Sequence, residues 1–161
     1  MVGGGGGGSG VLGTANVMMA ACLAEGVTTI ESAACEPEVV DLARFLTLMG
    51  ARIDGVGTPE IHIHGVKRLK GVEYRPIPDR IEAGTLAVAA AITRGRIEIK
   101  NCEPEHMTAV IDKLRAAGAT VETGKRRVLV SAGSRPEATR ISTAPHPGFP
   151  TDLQAQFTAL L

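Results

Sequence analysis

The sequence predicts an α/β fold (α+β by some classification schemes) made of about two copies of one unit and the start of a third. The 161-residue chain contains the tetrapeptide Cys-Glu-Pro-Glu twice, at 35–38 and 102–105. Each copy follows a short alternating stretch typical of a strand and precedes a stretch with helical character. Hydrophobic residues make up 44% of the chain but aromatic residues only 2%, so the core must consist of small aliphatic side chains. Helices packed closely on a sheet suit such a core.

The first twelve residues are predicted to be a disordered, glycine-rich tail or an artefact of the sequence boundary. Seven of the first ten residues are Gly, and such a run loses too much backbone entropy on ordering. Residues 8–13 match the G-x-G-x-x-G pattern of a dinucleotide loop. That loop requires a preceding strand, and here only more glycine precedes it. The pattern therefore does not indicate a cofactor site.

The first repeat is assigned to about residues 14–78. It begins with a helix at 15–23 that is apolar on nearly every side, which predicts burial all round. A strand at 27–31 follows. A helix then starts beside Pro37 and ends near Gly50, the expected asymmetry of helix ends. Two strands, at 51–54 and 61–64, complete the repeat.

The second repeat, about residues 79–149, has the same order. A helix at 83–93 is again apolar all round, and a strand at 96–100 follows it. The next helix carries an apolar stripe at i, i+3, i+4 and i+7 and ends near Gly118. Strands at 119–122 and 127–130 close the repeat. The stripe consists of Met107, Val110, Ile111 and Leu114.

A third repeat begins at residue 150, so the domain at 13–161 is predicted to be incomplete. Its first apolar helix, at 155–161, ends with the chain. Two of the apolar helices follow sequences typical of a capping box. These pairs, three residues apart, are Asp79 with Glu82 and Thr151 with Gln154.

Charge and cysteine content exclude several classes of protein. Lys and Arg total 17, as do Asp and Glu, and no basic face indicates nucleic acid or membrane partners. No stretch is long and apolar enough to span a bilayer, and the glycine-rich start is unlike a secretory signal.

Three widely spaced cysteines are typical of free thiols in a cytoplasmic protein. His62 and His64 share one strand face but have no further ligands for a metal, so we expect them to face solvent.

Three long stretches, in this order, resemble the UDP-N-acetylglucosamine 1-carboxyvinyltransferases, a family of enolpyruvyl transferases. They are GTANVMMAACLAEGVTTIESAACEPEVVDLARFLTLMGA, IPDRIEAGTLAVAAAIT and STAPHPGFPTDLQAQFTALL. The resemblance implies two domains, each of three βαβαββ units with buried helices. It also implies transfer of the enolpyruvyl group of phosphoenolpyruvate to the 3′-hydroxyl of UDP-N-acetylglucosamine, a cytoplasmic step of peptidoglycan synthesis. No metal or other cofactor is expected.

The resemblance also implies which residues line the substrate cleft. Asp152 of the PTDLQAQF stretch would meet the sugar hydroxyl as general base, since a carboxylate within hydrogen-bond reach can accept its proton. Without the resemblance, a carboxylate at a helix start is better explained by stabilisation of the helix N-terminus. The remaining substrate-binding residues implied are Thr151, Asp79, Arg80, Glu36, Glu38 and, through backbone groups, Val11 and Leu12.

Other parts of the family's site have no counterpart in this sequence. The catalytic Cys, the phosphoenolpyruvate-binding Lys and Asn and the uridine-binding loop precede the matching stretches, and several arginines follow them. Cys22, Cys35 and Cys102 do not occupy the catalytic position. We therefore expect a fragment that needs the second domain of the enzyme and is inactive alone. The alternatives are a shikimate-pathway enolpyruvyl transferase and a non-catalytic homologue that only binds.

Overall fold

A computed structural model describes residues 10–161, which form two compact units. The first ends at Ile77 and the second comprises Pro78–Leu161. Residues 1–9 of the predicted tail lie outside the described residues. The tail prediction is wrong for its last two residues, because helix α1 spans Val11–Ala21. The carbonyl of Gly10 accepts the N–H of Thr14 at 2.8 Å, so the first helical hydrogen bond already begins there.

The first unit contains two helices and a three-stranded antiparallel sheet in the order β1-β3-β2. Both edge strands run antiparallel to β3, so β1 and β2 are parallel to each other and α2 is the crossover between them. The observed element order is the predicted one. After α1 the elements are β1 (Val27–Glu31), α2 (Pro37–Leu48), β2 (Arg52–Asp54) and β3 (Glu60–His64).

The second unit repeats this topology with a sheet in the order β4-β6-β5. Two features extend it: a 3-10 turn precedes α4, and a 3-10 turn followed by a helix ends the chain. The elements are α3 (Arg80–Ile92), β4 (Arg96–Lys100), the turn Pro104–Met107, α4 (Thr108–Ala116), β5 (Thr120–Gly124), β6 (Arg127–Ser131), the turn Thr151–Leu153 and α5 (Gln154–Leu160). The α/β prediction is confirmed.

The two amphipathic helices end in the same way. Gly50 and Gly118, predicted to lie at these ends, have φ of 108° and 90°, a conformation that glycine adopts without a Cβ clash. The residue after each glycine donates to a carbonyl five residues earlier: Ala51 to Leu46 and Ala119 to Leu114, both at 3.0 Å. This is the Schellman arrangement, which satisfies carbonyls that the helix leaves open.

The prediction that the apolar helices are buried all round is wrong. Helix α1 buries Met18 completely but leaves Leu12 77% exposed and Met19 43% exposed. Helix α3 buries Ala87 yet exposes 41% of Leu86. One face of each helix packs in the core of its own unit, and among residues 10–161 each unit has a single sheet to cover it. None of the described helices is long and apolar enough to cross a membrane.

Candidate active-site residues

The N-terminus of α3 is capped by Asp79. Its Oδ1 accepts the backbone N–H groups of Ile81 at 2.7 Å and Glu82 at 3.1 Å, as a short carboxylate at an N-cap does. Asp79 thus provides its half of the predicted capping box. Within residues 10–161 no return bond from the Glu82 side chain is formed. Arg80, the first helical residue, is half-buried.

The turn that carries Thr151 and Asp152 begins differently from the prediction. Pro150 occupies the N-cap, and no side chain caps the turn. Thr151 is the first residue inside the turn, so its hydroxyl is not placed to accept the N–H groups that follow. The predicted capping box of Thr151 and Gln154 is therefore wrong. Both Thr151 and Asp152 are exposed.

Leu153 fixes this turn on α3. Its side chain is completely buried and lies on Gly84, where an added Cβ would come within 2.6 Å of Leu153 Cδ1. Gly84 lies four residues, about one helical turn, after Arg80. The two candidate segments of the second unit, Asp79–Arg80 and Thr151–Asp152, are thus held by the same helix.

Two further contacts hold the segment that follows the turn. Gln156 Nε2 donates to Thr85 Oγ1 at 3.0 Å. The rings of Phe149 and Phe157 meet edge to face with centroids 4.9 Å apart, a favourable aromatic geometry. Both rings are buried. The exposed carboxylate of Asp152 therefore sits between well-packed neighbours on either side in sequence.

Asp152 has no structural task in the part of the chain that the structure describes. Among residues 10–161 no donor hydrogen-bonds to its carboxylate and no cation pairs with it. Its place in the first turn agrees with the favourable field of a helix N-terminus, but it does not cap the turn. A fixed backbone and an unengaged carboxylate are what a general base requires before substrate arrives.

The two Cys-Glu-Pro-Glu copies, indistinguishable in sequence, differ in structure. In the second copy Glu103 pairs with Arg126 beside the β5–β6 turn. In the first copy Glu36 is the N-cap residue of α2 and is 7% exposed, whereas Glu38 is exposed in the first turn. Only the first copy therefore places a carboxylate in a buried position at the start of its helix.

Val11 and Leu12 form the start of α1. Val11 is half-buried and Leu12 is exposed. Two residues further on, Thr14 is buried, and its Oγ1 accepts the backbone N–H of Ala34 at 3.0 Å. Ala34 lies two residues before Glu36. The first unit therefore connects its two candidate segments through one hydrogen bond, which the sequence analysis did not predict.

The histidines of β3 form ion pairs and are not arranged as a metal site in the described residues. His62 pairs with Glu60 at 2.9 Å and His64 with Asp54 at 3.2 Å on a half-exposed strand face, as predicted. No group of three or more His, Cys, Asp or Glu side chains in the described part of the chain is arranged to hold a metal ion.

Cys22 and Cys102 also lack the features of a nucleophile. Burial raises the pKa of the Cys22 and Cys102 thiols, which lowers their thiolate fraction at neutral pH. Cys102 is 2% exposed, as expected for a small packing residue.

Comparison with solved structures shows the fold, and a family model shows the class of protein. The chain superposes on the enolpyruvyl transferase NikO from Streptomyces tendae with a TM-score of 0.77 over 91% of this chain and 36% of that one, at 23% sequence identity. The fold is thus that of an enolpyruvyl transferase. The family model for EPSP synthase (3-phosphoshikimate 1-carboxyvinyltransferase) matches residues 6–161. The chain belongs to this family.

Two proteins with high sequence identity to this chain are UDP-N-acetylglucosamine 1-carboxyvinyltransferases. A UDP-N-acetylglucosamine 1-carboxyvinyltransferase from Methylacidiphilum infernorum is 57% identical over 153 residues, which are 95% of this chain and 36% of that protein. One from Shewanella denitrificans is 57% identical over 148 residues, 91% of this chain and 35% of that protein. The resemblance found in the sequence is confirmed. The chain spans about a third of the length of these curated relatives.

Proposed function

We propose that this chain forms part of a UDP-N-acetylglucosamine 1-carboxyvinyltransferase. Such an enzyme moves the enolpyruvyl group of phosphoenolpyruvate to the 3′-hydroxyl of UDP-N-acetylglucosamine and releases phosphate. The step belongs to peptidoglycan synthesis in the cytoplasm, and through it to cell wall biogenesis, cell shape and cell division. The observation that carries the proposal is the 57% identity to enzymes of that name over 95% of the chain, together with the unengaged carboxylate of Asp152.

Asp152 is the general base in this proposal. It accepts the proton of the 3′-hydroxyl as that oxygen bonds to C2 of phosphoenolpyruvate, while C3 takes a proton from a donor elsewhere in the enzyme. Loss of a proton from C3 and of phosphate from C2 then restores the double bond. General-base catalysis requires a carboxylate oxygen within about 2.6–3.2 Å of the hydroxyl oxygen, held in place by its surroundings. The burial of Leu153 supplies that rigidity.

The other candidate residues bind substrate. Thr151 and Arg80 lie on the two segments held by α3, and Asp79 fixes the start of that helix. Glu36 and Glu38 contribute negative charge at the start of α2. The backbone at Val11 and Leu12 contacts the nucleotide part of UDP-N-acetylglucosamine.

The rest of a longer protein, including a second domain, completes the site. Orientation of reactants between fixed groups can lower a barrier by roughly 7–11 kcal/mol. This chain alone provides one general base and part of one wall. We therefore expect no measurable turnover from the chain alone.

A chimaera tests the proposal. Residues 10–161 replace the matching segment of the Methylacidiphilum infernorum relative, and phosphate release is measured with phosphoenolpyruvate and either UDP-N-acetylglucosamine or 3-phosphoshikimate as acceptor. The parent relative and the isolated chain are the controls. We expect the chimaera to turn over UDP-N-acetylglucosamine but not 3-phosphoshikimate. We expect no turnover from the isolated chain with either acceptor.

The family model is described by the shikimate reaction, so the second acceptor tests a specific alternative. Turnover with 3-phosphoshikimate would assign the chain to the shikimate pathway. A folded chimaera that binds UDP-N-acetylglucosamine in calorimetry but releases no phosphate would assign it to a non-catalytic homologue.

A further inference from the structure

Thr14 makes an unusual hydrogen bond for a threonine inside a helix. Its side chain is 5% exposed, and Oγ1 accepts the N–H of Ala34, 20 residues away, at 3.0 Å. At the same time its own N–H donates to Gly10, the N-cap residue of α1, at 2.8 Å. Thr14 therefore connects the beginning of α1 to a distant segment.

Three other helical threonines use their hydroxyls as donors within their own helix. The hydroxyls of Thr47, Thr85 and Thr158 each donate to the carbonyl four residues earlier, at 2.8 Å. That local bond is the usual outcome for Thr in a helix interior. Thr85 Oγ1 also accepts Gln156 Nε2 at 3.0 Å, a bond between two side chains. Among these four threonines, only Thr14 accepts a backbone N–H from a distant segment.

The segment that Thr14 holds leads directly to Glu36. Ala33 and Ala34 are 3% and 1% exposed, and the N–H of Ala33 donates to the carbonyl of Pro59 at 2.8 Å. The N–H of Ala34 is buried too, so without Thr14 Oγ1 it would lose its partner. A buried donor left unsatisfied is costly, and the segment would shift to find another acceptor.

We propose that Thr14 is a positioning residue for the nucleotide end of the acceptor substrate. It sets the distance between the backbone at Val11 and Leu12 and the Glu36 segment. This inference rests on the proposed function, in which the backbone at Val11 and Leu12 contacts the nucleotide part of UDP-N-acetylglucosamine and Glu36 is a substrate-binding residue. The nucleotide end is remote from the reacting hydroxyl, so its contacts are equally strong in the ground state and the transition state. Such contacts change KM and leave kcat unchanged.

The test uses the chimaera and two matched variants. Thr14→Val keeps the shape of the side chain and removes the acceptor, whereas Thr14→Ser keeps the acceptor and removes a methyl group. For Thr14→Val we expect KM for UDP-N-acetylglucosamine to rise roughly tenfold, as the loss of about one buried hydrogen bond predicts. We expect kcat and KM for phosphoenolpyruvate to stay within about twofold. Thr14→Ser should restore KM for the nucleotide sugar to near the unsubstituted value.

Other results would overturn the inference about Thr14. A chimaera that is inert before any substitution at Thr14 overturns the proposed function, and this inference with it. An active chimaera in which Thr14→Val leaves KM for the nucleotide sugar unchanged overturns the inference alone. A fall in kcat equal to or larger than the rise in KM, or a Thr14→Val protein that does not fold while Thr14→Ser does, shows a general structural role and also overturns it.

Discussion

Gly84 and Leu153 fit together so closely that a Cβ atom on Gly84 would lie 2.6 Å from Cδ1 of Leu153. Leu153 is completely buried, so an added Cβ on Gly84 would have to displace this side chain inside the core. The glycine is therefore what allows the turn bearing Asp152 to lie directly on α3. A residue with poor helix propensity is kept in a helix because its missing side chain makes room for a neighbour.

Gly84→Ala is expected to destabilise the protein. Overpacking of a filled core costs about 1–3 kcal/mol, which outweighs the roughly 1 kcal/mol that Ala gains over Gly in a helix. We predict a net loss of about 1 kcal/mol in the free energy of unfolding, measured by urea denaturation followed by circular dichroism. Gly13→Ala is the matched control, because Gly13 is also helical and has no atom within 4 Å of an added Cβ. The control should be stabilised; equal effects at the two positions would contradict the packing account.

The same contact predicts non-additive substitutions. Leu153→Ala alone should cost about 2–5 kcal/mol as a buried large-to-small change. In the Gly84→Ala background it should cost less, because part of the space is already filled. The coupling, measured by a double-mutant cycle, should exceed about 0.5 kcal/mol. Simple additivity would show that the two side chains do not compete for the same space.

Substitution of the buried Asp41 carboxylate is expected to destabilise the first unit. It is 8% exposed; its Oδ1 accepts the hydroxyl of Tyr74 at 2.5 Å and its Oδ2 the N–H of Ile77 at 3.3 Å. Asn at this position would turn a donor towards one of these donors, so we predict a loss of about 1–3 kcal/mol. Tyr74 is the single tyrosine in a chain without Trp, so its fluorescence reports the unfolding of this unit.

Asp54→Asn is the control for this prediction. The Asp54 side chain is 74% exposed, so its substitution should change stability little. A similar loss of stability in both variants would contradict the role given to Asp41.

The hydrogen bond from Tyr74 to Asp41 also predicts a change in the pKa of Tyr74. The hydrogen bond to Asp41 is the main reason that the pKa of Tyr74 is raised above its ordinary value of 10.0. Because the folded-state pKa lies above the unfolded one, this stabilisation is complete below about pH 10 and is lost as pH rises through the folded-state value. Absorbance at the phenolate band should show a midpoint above that of the urea-unfolded chain. Asp41→Asn should lower the midpoint, and an unchanged midpoint would show that Asp41 is not the cause.

The three cysteines should differ in reactivity with iodoacetamide. Thiolates are the reacting species, and burial raises the pKa of Cys22 and Cys102, which also have almost no exposed surface. Cys35 is half-buried and is expected to be alkylated first at pH 8, as measured by peptide mass spectrometry. In urea all three should react alike. Earlier labelling of Cys22 or Cys102 in the folded protein would contradict the observed packing.

Local patterns in the sequence predicted the order of the elements but only some of their ends. Helix α1, for example, begins at Val11 and not at residue 15. Strands β1 and β4 have the predicted bounds, since alternating short apolar stretches followed by Cys-Glu-Pro-Glu allow few other readings. Gly50 and Gly118 end α2 and α4 because a positive φ is needed there. The burial of the apolar helices was predicted wrongly. The amino-acid composition of a helix shows that its surface is apolar, but it does not show which neighbouring elements cover that surface.

The site depends more on contacts between distant residues. The family resemblance identified Asp152, but no local signal distinguishes an unengaged carboxylate from a helix cap. The bond from Ala34 to Thr14 joins residues 20 positions apart, and neither residue belongs to a recognisable motif. Gly84 was visible as a lone glycine in an apolar helix, which often has a packing reason, yet its partner Leu153 could be found only in the structure.

The most direct measurement is phosphate release by the chimaera before and after Asp152→Asn, with saturating phosphoenolpyruvate and UDP-N-acetylglucosamine. Loss of a general base typically lowers the rate by roughly 100- to 10,000-fold, and Asn keeps the size of the side chain. We predict a fall of that order in kcat with little change in the urea midpoint, because no hydrogen bond or ion pair engages the Asp152 carboxylate within residues 10–161 and the helix N-terminus field contributes about 0.3–1 kcal/mol. A folded Asp152→Asn chimaera that retains kcat within about threefold would contradict the role of Asp152 as the base.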